Sequence, residues 1–353
     1  MWDGQQVSAS RCSFYRNHAW ECRRAKLKPF VMKRLLLFIC VAFMAFATKA
    51  QTSLLATLSH NGEITTFYSV TALSEAHKSA QDGDIITLSG GMFNPITVTK
   101  NVTIRGAGMS GFNPTVISTL TIKPALEEGT VTLEGLYVNE MLRCQNAGKN
   151  TKLVKCKIRD FEAMTSSSTF PSTNFKAIQC VFLNSYRVDG IGATVVNSYI
   201  KGSGQLMKNA TYENCLLDIS TNIISIENSY LINCILVDPR ESATASSHFG
   251  KSTIAMGCYY IGPHQEMFKQ MTNDTNKSFP VGTKFLKEDT NIYELLDELK
   301  STWIGTDGTQ VGMHGGNLSF DPETTTPKIK KFEVSSKTSV DGKLSIGLEI
   351  DAD

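Results

Sequence analysis

Charged residues are scarce in this chain, and its cysteines lack the spacing of metal ligands. Lys, Arg, Asp and Glu make up 19% of the 353 residues, whereas 41% are hydrophobic. So low a charged share favours a β-rich chain, and the hydrophobic share suffices for one large domain. No CxxC pair and no cysteine with a suitably spaced histidine is present, so a zinc site is not indicated. A basic stripe is also lacking, which argues against a nucleic-acid partner.

The first 50 residues differ in charge from the rest. They hold nine of the 35 Lys and Arg but two of the 33 Asp and Glu, which leaves 26 basic and 31 acidic residues. Met32, Lys33 and Arg34 form a basic start before an apolar run over residues 35–47. This order predicts a secretory signal peptide over residues 32–50, cleaved between Ala50 and Gln51.

The signal peptide predicts where the protein goes. The apolar run is too short to span a bilayer, so a membrane anchor is the less favoured alternative and no membrane span is expected in the mature chain. We expect export to the periplasm, the outer surface or the medium. Residues 1–31 are interpreted as a disordered extension, or as residues upstream of a true start at Met32.

A short motif with a central cysteine recurs along the remaining chain. The segments LVKCKIRD, AIQCVFLN, VVNSYIKG, LINCILVD and AMGCYYIG superpose without gaps, with serine replacing cysteine in the third. Including two earlier glycine positions, the small residues lie 29, 21, 24, 18, 17, 19 and 24 residues apart. A period near 20 with variable insertions is typical of a solenoid. The residues are Gly106, Gly135, Cys156, Cys180, Ser198, Cys215, Cys234 and Cys258.

Each repeat predicts one coil of a right-handed parallel β-helix, an all-β fold. A strand of about five residues surrounds the small residue, and a turn former follows it by four positions, as Asn184 and Asp238 do. Turn formers tolerate the left-handed backbone that a corner needs. Leucine-rich repeats share the period but require an LxxLxL pattern, which is absent.

The cysteine positions are predicted to form an inward column of small, apolar-packing side chains. An even number of cysteines in an exported protein also suggests disulfides, and side chains stacked on neighbouring coils come within disulfide range. That alternative stays open at this point. The column comprises Cys156, Cys180, Ser198, Cys215, Cys234 and Cys258.

Amide side chains precede the column on four successive coils, at Gln179, Asn197, Asn214 and Asn233. Stacked amides can hydrogen-bond from coil to coil, so a structural ladder is the favoured interpretation. A row of sugar-binding amides is the alternative.

The ends of a solenoid need covers over their open edges. A hairpin around Asn61-Gly62 and a capping helix from Val70 to Gln81 are predicted within residues 51–81. The β-helix then spans residues 82–320. Two alternating strands around Asp341-Gly342 predict a C-terminal hairpin within residues 321–353.

Two segments resemble a known superfamily. ALSEAHKSAQDGDIITLSGGMFNPITVTKNVTIRGAG, at 72–108, is similar to the entry region of right-handed parallel β-helix proteins of the pectin-lyase-like superfamily. IGTDGTQVGMHGG, at 304–316, resembles the segment that closes the helix in secreted members from Gram-negative bacteria, which mostly lack an assigned activity. The superfamily mixes lyases, glycoside hydrolases and adhesins, so the resemblance implies fold and export more than a reaction.

The residues that would carry catalysis are few. A polysaccharide lyase acting on an acidic glycan needs a basic residue for β-elimination, and Lys155, Lys157 and Arg159 are predicted to project outward from one strand. Calcium is expected only under this alternative, and otherwise no cofactor or metal. Glu213 replaces an apolar residue, which predicts either a local register shift or a functional carboxylate.

Binding is the favoured function. Tyr199 and Tyr259 are predicted to face outward and could stack on sugar rings, and His248 and Phe249 lie in a long polar insertion. We therefore expect a secreted, non-catalytic protein with a surface or carbohydrate-binding role, whose partner is a polysaccharide or cell-surface glycan.

Overall fold

A computed structural model gives the fold. It describes residues 54–123, 129–145, 150–163, 175–203, 206–221, 225–239, 252–265, 275–288 and 292–323, together with four short strands elsewhere. Two of these strands, β1 (Ser10–Cys12) and β2 (Cys22–Arg24), pair antiparallel in a unit of residues 1–53. The predicted signal peptide, its predicted cleavage site at Ala50 and Gln51, and the loop with His248 and Phe249 lie outside the described residues.

Residues from Leu54 onward form a parallel β-helix of about seven turns in the described part of the chain. Its strands are β3 (Leu55–His60), β4 (Glu63–Tyr68), β5 (Ile85–Leu88), β6 (Gly91–Phe93), β7 (Ile96–Val98), β8 (Thr103–Arg105), β9 (Thr115–Ile122), β10 (Val131–Glu134), β11 (Leu136–Cys144), β12 (Thr151–Val154), β13 (Lys157–Ala163), β14 (Lys176–Ile178), β15 (Val181–Val196), β16 (Tyr199–Ser203), β17 (Leu206–Glu213), β18 (Leu216–Thr221), β19 (Ser225–Glu227), β20 (Tyr230–Ile232), β21 (Ile235–Val237), β22 (Ile254–Met256), β23 (Tyr259–Ile261) and β24 (Lys277–Phe279).

The parallel pairings stack these strands into three faces. Sheet A contains β5, β8, β10, β12, β14, the ends of β15 and β17, β20 and β22. Sheet B follows the cysteine column and runs from β6 to β24 through β13, β16 and β21. Sheet C joins β7 to β19 through the second halves of the longer strands. Among the described residues, each coil from β5 to β23 thus contributes a strand to sheets A and B, with the cysteine column at the corner between them.

The N-terminal end has the predicted hairpin and helix. Strand β3 pairs antiparallel with β4 and with β5, and Asn61 and Gly62 form the turn with positive φ values of 49° and 85°. Helix α1 (Ala72–Ser79) buries Leu73 and Ala76 against the core. At the other end, β25 (Lys328–Val334) and β26 (Ile346–Asp351) pair antiparallel as the predicted hairpin, and its turn lies outside the described residues.

The inner core lies within the coils and includes the small-residue column. Cys144, Cys156, Cys180, Cys215, Cys234 and Cys258 are buried and free, and Ser198 takes the equivalent place. The thiol of Cys234, for example, donates to the carbonyls of Ile232 and Tyr212 at 3.3 Å each. No disulfide links neighbouring coils in the described region. Burial raises the pKa of the Cys180, Cys234 and Cys258 thiols well above the usual value.

The left-handed corner lies one residue before the column, not four residues after it as predicted. Its residues have φ between 47° and 53° where they are not glycine. Asparagine tolerates this conformation because its short polar side chain costs little there. Five consecutive coils have a residue other than glycine at this corner. We call these residues the corner row: Lys155, Gln179, Asn197, Asn214 and Asn233. Gly106 and Gly135 also lie at this corner position, so their predicted alignment with the cysteines is wrong by one residue, because Glu134 pairs with Arg105 and Val154.

A second core lies outside the coils. Residues 280–288 and 292–323, the C-terminal cover, fold back over the outer face of sheet B and contain the four-residue helix α2 (Asp297–Lys300). Outward side chains of sheet B pack against apolar residues of the cover to form this outer core. The members from sheet B are Val181, Tyr199, Leu216, Ile235 and Tyr259, and those from the cover include Leu295, Trp303, Val311, Met313 and Phe320.

Candidate functional site

The corner row binds the backbone of the cover. Asn233 Oδ1 accepts hydrogen bonds from the backbone N–H and the hydroxyl of Thr306 at 2.8 and 3.0 Å. Asn197 Nδ2 donates to the carbonyls of Met313 and Gly315 at 2.9 and 2.8 Å, and Gln179 donates to that of Ser319. The prediction that the amides bond from coil to coil is wrong for these three side chains, because the cover lies directly against them.

The glycines of the cover allow this close approach. A Cβ atom on Gly305 would lie 2.5 Å from Cγ of Asn233, and one on Gly316 would lie 2.5 Å from Nδ2 of Asn214. Gly316 also has a φ of 68°, which favours glycine. Gly305 and Gly316 are therefore explained by the amides that the segment must pass.

The three basic residues considered for lyase chemistry do not converge. Lys155 is a corner residue rather than a strand residue, and its Nζ pairs with Asp321 of the cover at 2.8 Å. Lys157 Nζ lies 5.2 Å from the centre of the Tyr137 ring. Arg159 is exposed and lies 4.0 Å from Asp160 on the same strand. The prediction that all three project from one strand is wrong for Lys155, because this residue lies at the corner before the strand and pairs with the cover.

Glu213 stays in register with its neighbours, so the predicted register shift is wrong. It pairs with Val196 on the preceding coil and Ile232 on the next. All three are half-buried, because this position faces outward from sheet A. A carboxylate is tolerated in that slot since water reaches it.

Tyr259 faces outward from its strand as predicted, but it is completely buried under the cover. Its ring centre lies 4.9 Å from that of Trp303 and 5.9 Å from that of Phe279. Its hydroxyl accepts a hydrogen bond from the backbone N–H of Ile304 at 3.1 Å. Stacking of Tyr259 on a sugar is therefore excluded by the cover.

A cavity of about 430 Å³ lies between sheet B and the cover, and Tyr199 lines it. This volume is within the range of small-ligand sites. One wall comes from β15, β16, β18 and β21, and the other from the first part of the cover. The lining residues from the coils are Leu183, Tyr199, Lys201, Leu216, Asp218 and Val237, and those from the cover are Phe285, Leu286, Lys287 and Tyr293.

Two tyrosines and one carboxylate give the cavity its chemistry. The ring centres of Tyr199 and Tyr293 are 4.3 Å apart at an angle of 30°. The hydroxyl of Tyr199 donates to Oδ2 of Asp218 at 3.1 Å, and Nζ of Lys201 lies 3.9 Å from the same oxygen. Burial raises the pKa of Tyr199, and raises that of Tyr293 to about 12. Both tyrosines are therefore neutral at pH 7 and keep their hydroxyl protons.

An ion network borders the cavity on the cover side. Lys287 Nζ lies 3.1 Å from Glu294 and 2.9 Å from Asp297, and Lys300 contacts the same two carboxylates. Hydrogen bonds from Lys287 and Lys300 lower the pKa of Asp297 to about 2. The carboxylates of Glu294 and Asp297 accept hydrogen bonds from Lys300 and raise its pKa. The four groups are thus charged and mutually paired at neutral pH.

The described residues lack two features, a metal-binding cluster and a membrane-spanning helix. They contain no group of three or more His, Cys, Asp or Glu side chains placed to hold a metal ion. In the same residues, no helix has the length and apolar character to cross a membrane.

Among the residues that line the cavity, Tyr199 is the one that the sequence predicts as a ligand-binding candidate. Asp218 pairs in register with Lys201 and Val237 on the neighbouring coils, so its carboxylate faces outward. Tyr293 and Lys287 carried no signal, because the cover has no repeat that would show which coil it contacts.

Comparisons with known proteins give little more. No protein-family model matches the chain, and no curated protein matches it in sequence. The solved structure titled "Geobacillus virus E2 - ORF18" has a TM-score of 0.36 and 12% identity, over 79% of this chain and 69% of that chain. At this TM-score the likeness carries no argument about function.

Proposed function

We propose that this is an exported, non-catalytic β-helix protein that binds carbohydrate in the cavity under its C-terminal cover. The observation that carries the proposal is the grouping of Tyr199, Tyr293 and Asp218 around one concave space. Aromatic rings pack against the C–H faces of sugars, and a carboxylate accepts hydrogen bonds from sugar hydroxyls. Lysines at the rim supply donors for the remaining hydroxyl oxygens.

Export is supported by the signal-peptide pattern at residues 32–50. The resemblance of residues 72–108 and 304–316 supports membership of the pectin-lyase-like superfamily. Under this proposal the buried thiols of the inner column are protected from the oxidising compartment, because thiolate formation and access are both suppressed by burial.

The lyase alternative has less support. Elimination at a uronate requires a base and charge-stabilising groups around one sugar ring. Lys155, Lys157 and Arg159 instead each have a separate partner within the protein. Detection of unsaturated uronate products from acidic polysaccharides would establish the lyase and overturn the non-catalytic proposal.

Titration calorimetry against a panel of oligosaccharides tests the binding site. Asp218→Asn keeps the shape of the side chain and removes its charge, and Tyr293→Ala removes one ring. We expect each change to weaken binding at least about tenfold. Tyr230→Ala is the matched control, since Tyr230 is 49% exposed on sheet A and does not line the cavity. Equal effects of Tyr293→Ala and Tyr230→Ala would contradict the assignment.

A further inference from the structure

We infer that the sugar bound in this cavity is neutral rather than a uronate or another acidic sugar. The inference rests on the proposed function and adds a ligand class to it. It comes from the charges around the cavity, which are balanced in pairs among the described residues.

Each ammonium group at the cavity already has a carboxylate partner. Lys201 lies 3.9 Å from Asp218 across neighbouring coils, where the two residues are in register. Lys287 and Lys300 share Glu294 and Asp297, with separations of 2.9 Å for both contacts to Asp297. Three ammonium groups therefore face three carboxylates in this part of the described structure.

An acidic sugar would meet this arrangement at a disadvantage. Its carboxylate would have to displace a protein carboxylate from a lysine, and Asp218 forms part of the cavity wall itself. Placing two carboxylates in one partly buried site costs free energy unless a proton or cation joins them. Lys287, the second ammonium group of the lining, does not offset that cost, because Glu294 and Asp297 behind the lining already pair with it.

A neutral sugar suits the same groups. A hydroxyl both donates and accepts, so it can bond to Asp218 and to a lysine without breaking their ion pairs. The side chains that would make these bonds come from both walls, with Asp218 and Lys201 on the coils and Lys287 and Tyr293 on the cover. The ligand would thus bridge the two walls, and its binding should slow hydrogen exchange in the cover.

Matched pairs of probes separate the two ligand classes. Oligosaccharides of galacturonic, glucuronic and mannuronic acid are compared with the same oligosaccharides after reduction of their carboxyl groups to hydroxymethyl groups. Each pair keeps its linkage and ring stereochemistry and differs in charge. We expect at least one reduced probe to bind about tenfold or more tightly than its acidic counterpart, with an affinity independent of salt.

A charge variant sharpens the test. Glu294→Gln together with Asp297→Asn removes the carboxylates from Lys287 and Lys300 without changing a lining residue. In this double variant we expect the preference for the neutral probe to fall to within about threefold or to reverse. Glu63→Gln together with Glu75→Gln makes the same change of net charge at two exposed carboxylates that do not line the cavity, and serves as the control.

The outcomes distinguish the inference from the proposal beneath it. A preference of the unaltered protein for an acidic probe, lost in Asp218→Asn or Tyr293→Ala, would overturn neutrality and leave the binding site standing. Binding of no probe in either form, with the protein shown to be folded, would contradict the proposed function and the inference together.

Discussion

The inner core within the coils and the outer core beneath the cover are built in different ways. Inner-core residues meet partners about one repeat away, as Phe182 meets Phe161 and Tyr186 meets Tyr212, with ring centres 5.2 and 6.4 Å apart. In the outer core Tyr199 meets Tyr293, 94 residues further along the chain. The first arrangement repeats with every coil, whereas the second occurs once and depends on a single returning segment.

The two cores also differ in how their backbones are held. The coils have continuous parallel ladders of hydrogen bonds on three faces. The described part of the cover has a four-residue helix and isolated bridges at Leu286–Leu295 and Ile304–Gln310. Segments with few regular hydrogen bonds and one packing surface open at lower free energy than a continuous sheet. The cover is therefore expected to detach while the coils remain folded.

The largest expected effect comes from the inner core. Phe182→Ala removes a completely buried ring and should lower the free energy of unfolding by about 3–5 kcal/mol. Because the cover needs the coil surface, urea should then release both cores at lower concentration. Far-UV circular dichroism measures the loss of the coils, and Tyr230→Ala is the exposed control. A change below about 1 kcal/mol would contradict the assignment of Phe182 to the core.

The outer core provides the contrasting substitution. Trp303 is 5% exposed and packs on Tyr259, Phe279 and Phe285, so Trp303→Ala should weaken the cover by about 3 kcal/mol. Hydrogen exchange should accelerate in residues 292–321 and stay unchanged in residues 176–196. Equal acceleration in both segments would show that the two cores form one cooperative unit.

A corner amide tests the contact between the two regions. Asn233→Gly keeps the left-handed backbone but removes the acceptor of Thr306, which should cost the cover about 1–2 kcal/mol. Asn228→Gly is a matched control, because Asn228 has a φ of 49° and is exposed. If both variants alter exchange of the cover equally, the backbone conformation rather than the amide contact is responsible.

Acid should destabilise the cover relative to the coils, with a smaller effect than the three substitutions above. The pKa of Asp297 is lowered to about 2 by Lys287 and Lys300, from an ordinary value of 3.8. Since the pKa in the folded protein lies below the unfolded value, this contribution is present above about pH 4 and is lost as the pH falls through about 2. We expect exchange of residues 292–300 to rise over that window relative to Asp297→Asn. An identical pH response in that variant would contradict the assignment.

The sequence was informative where the fold repeats. The interval between small residues predicted the coil, the inward cysteine column and the strands on either side, because each coil repeats one backbone path. Alignment of the coils also predicted that Tyr199 and Tyr259 face outward from sheet B. It could not show that a later segment buries them, since outward-facing residues are exposed in a solenoid without a cover.

The same limit explains the errors at the corner. Asn197 and Asn233 were expected to pair with amides above and below them, but their side chains contact a segment about 70 to 120 residues away. The cavity residues Asp218 and Tyr293 likewise become neighbours only when the cover folds back. Glycines in the cover at 305 and 316 were the available signal, because closely spaced glycines indicate a backbone that must approach something.

Unfolding in urea followed by two probes tests the separation of the cores most directly. Trp303 is the one tryptophan from Gln51 onward, so in a protein produced as residues 51–353 its fluorescence reports the cover, whereas far-UV circular dichroism reports the coils. We predict that the fluorescence of Trp303 changes at a lower urea concentration than the circular dichroism signal. Coincident transitions at every wavelength would contradict it, because the cover and the coils would then unfold as one unit.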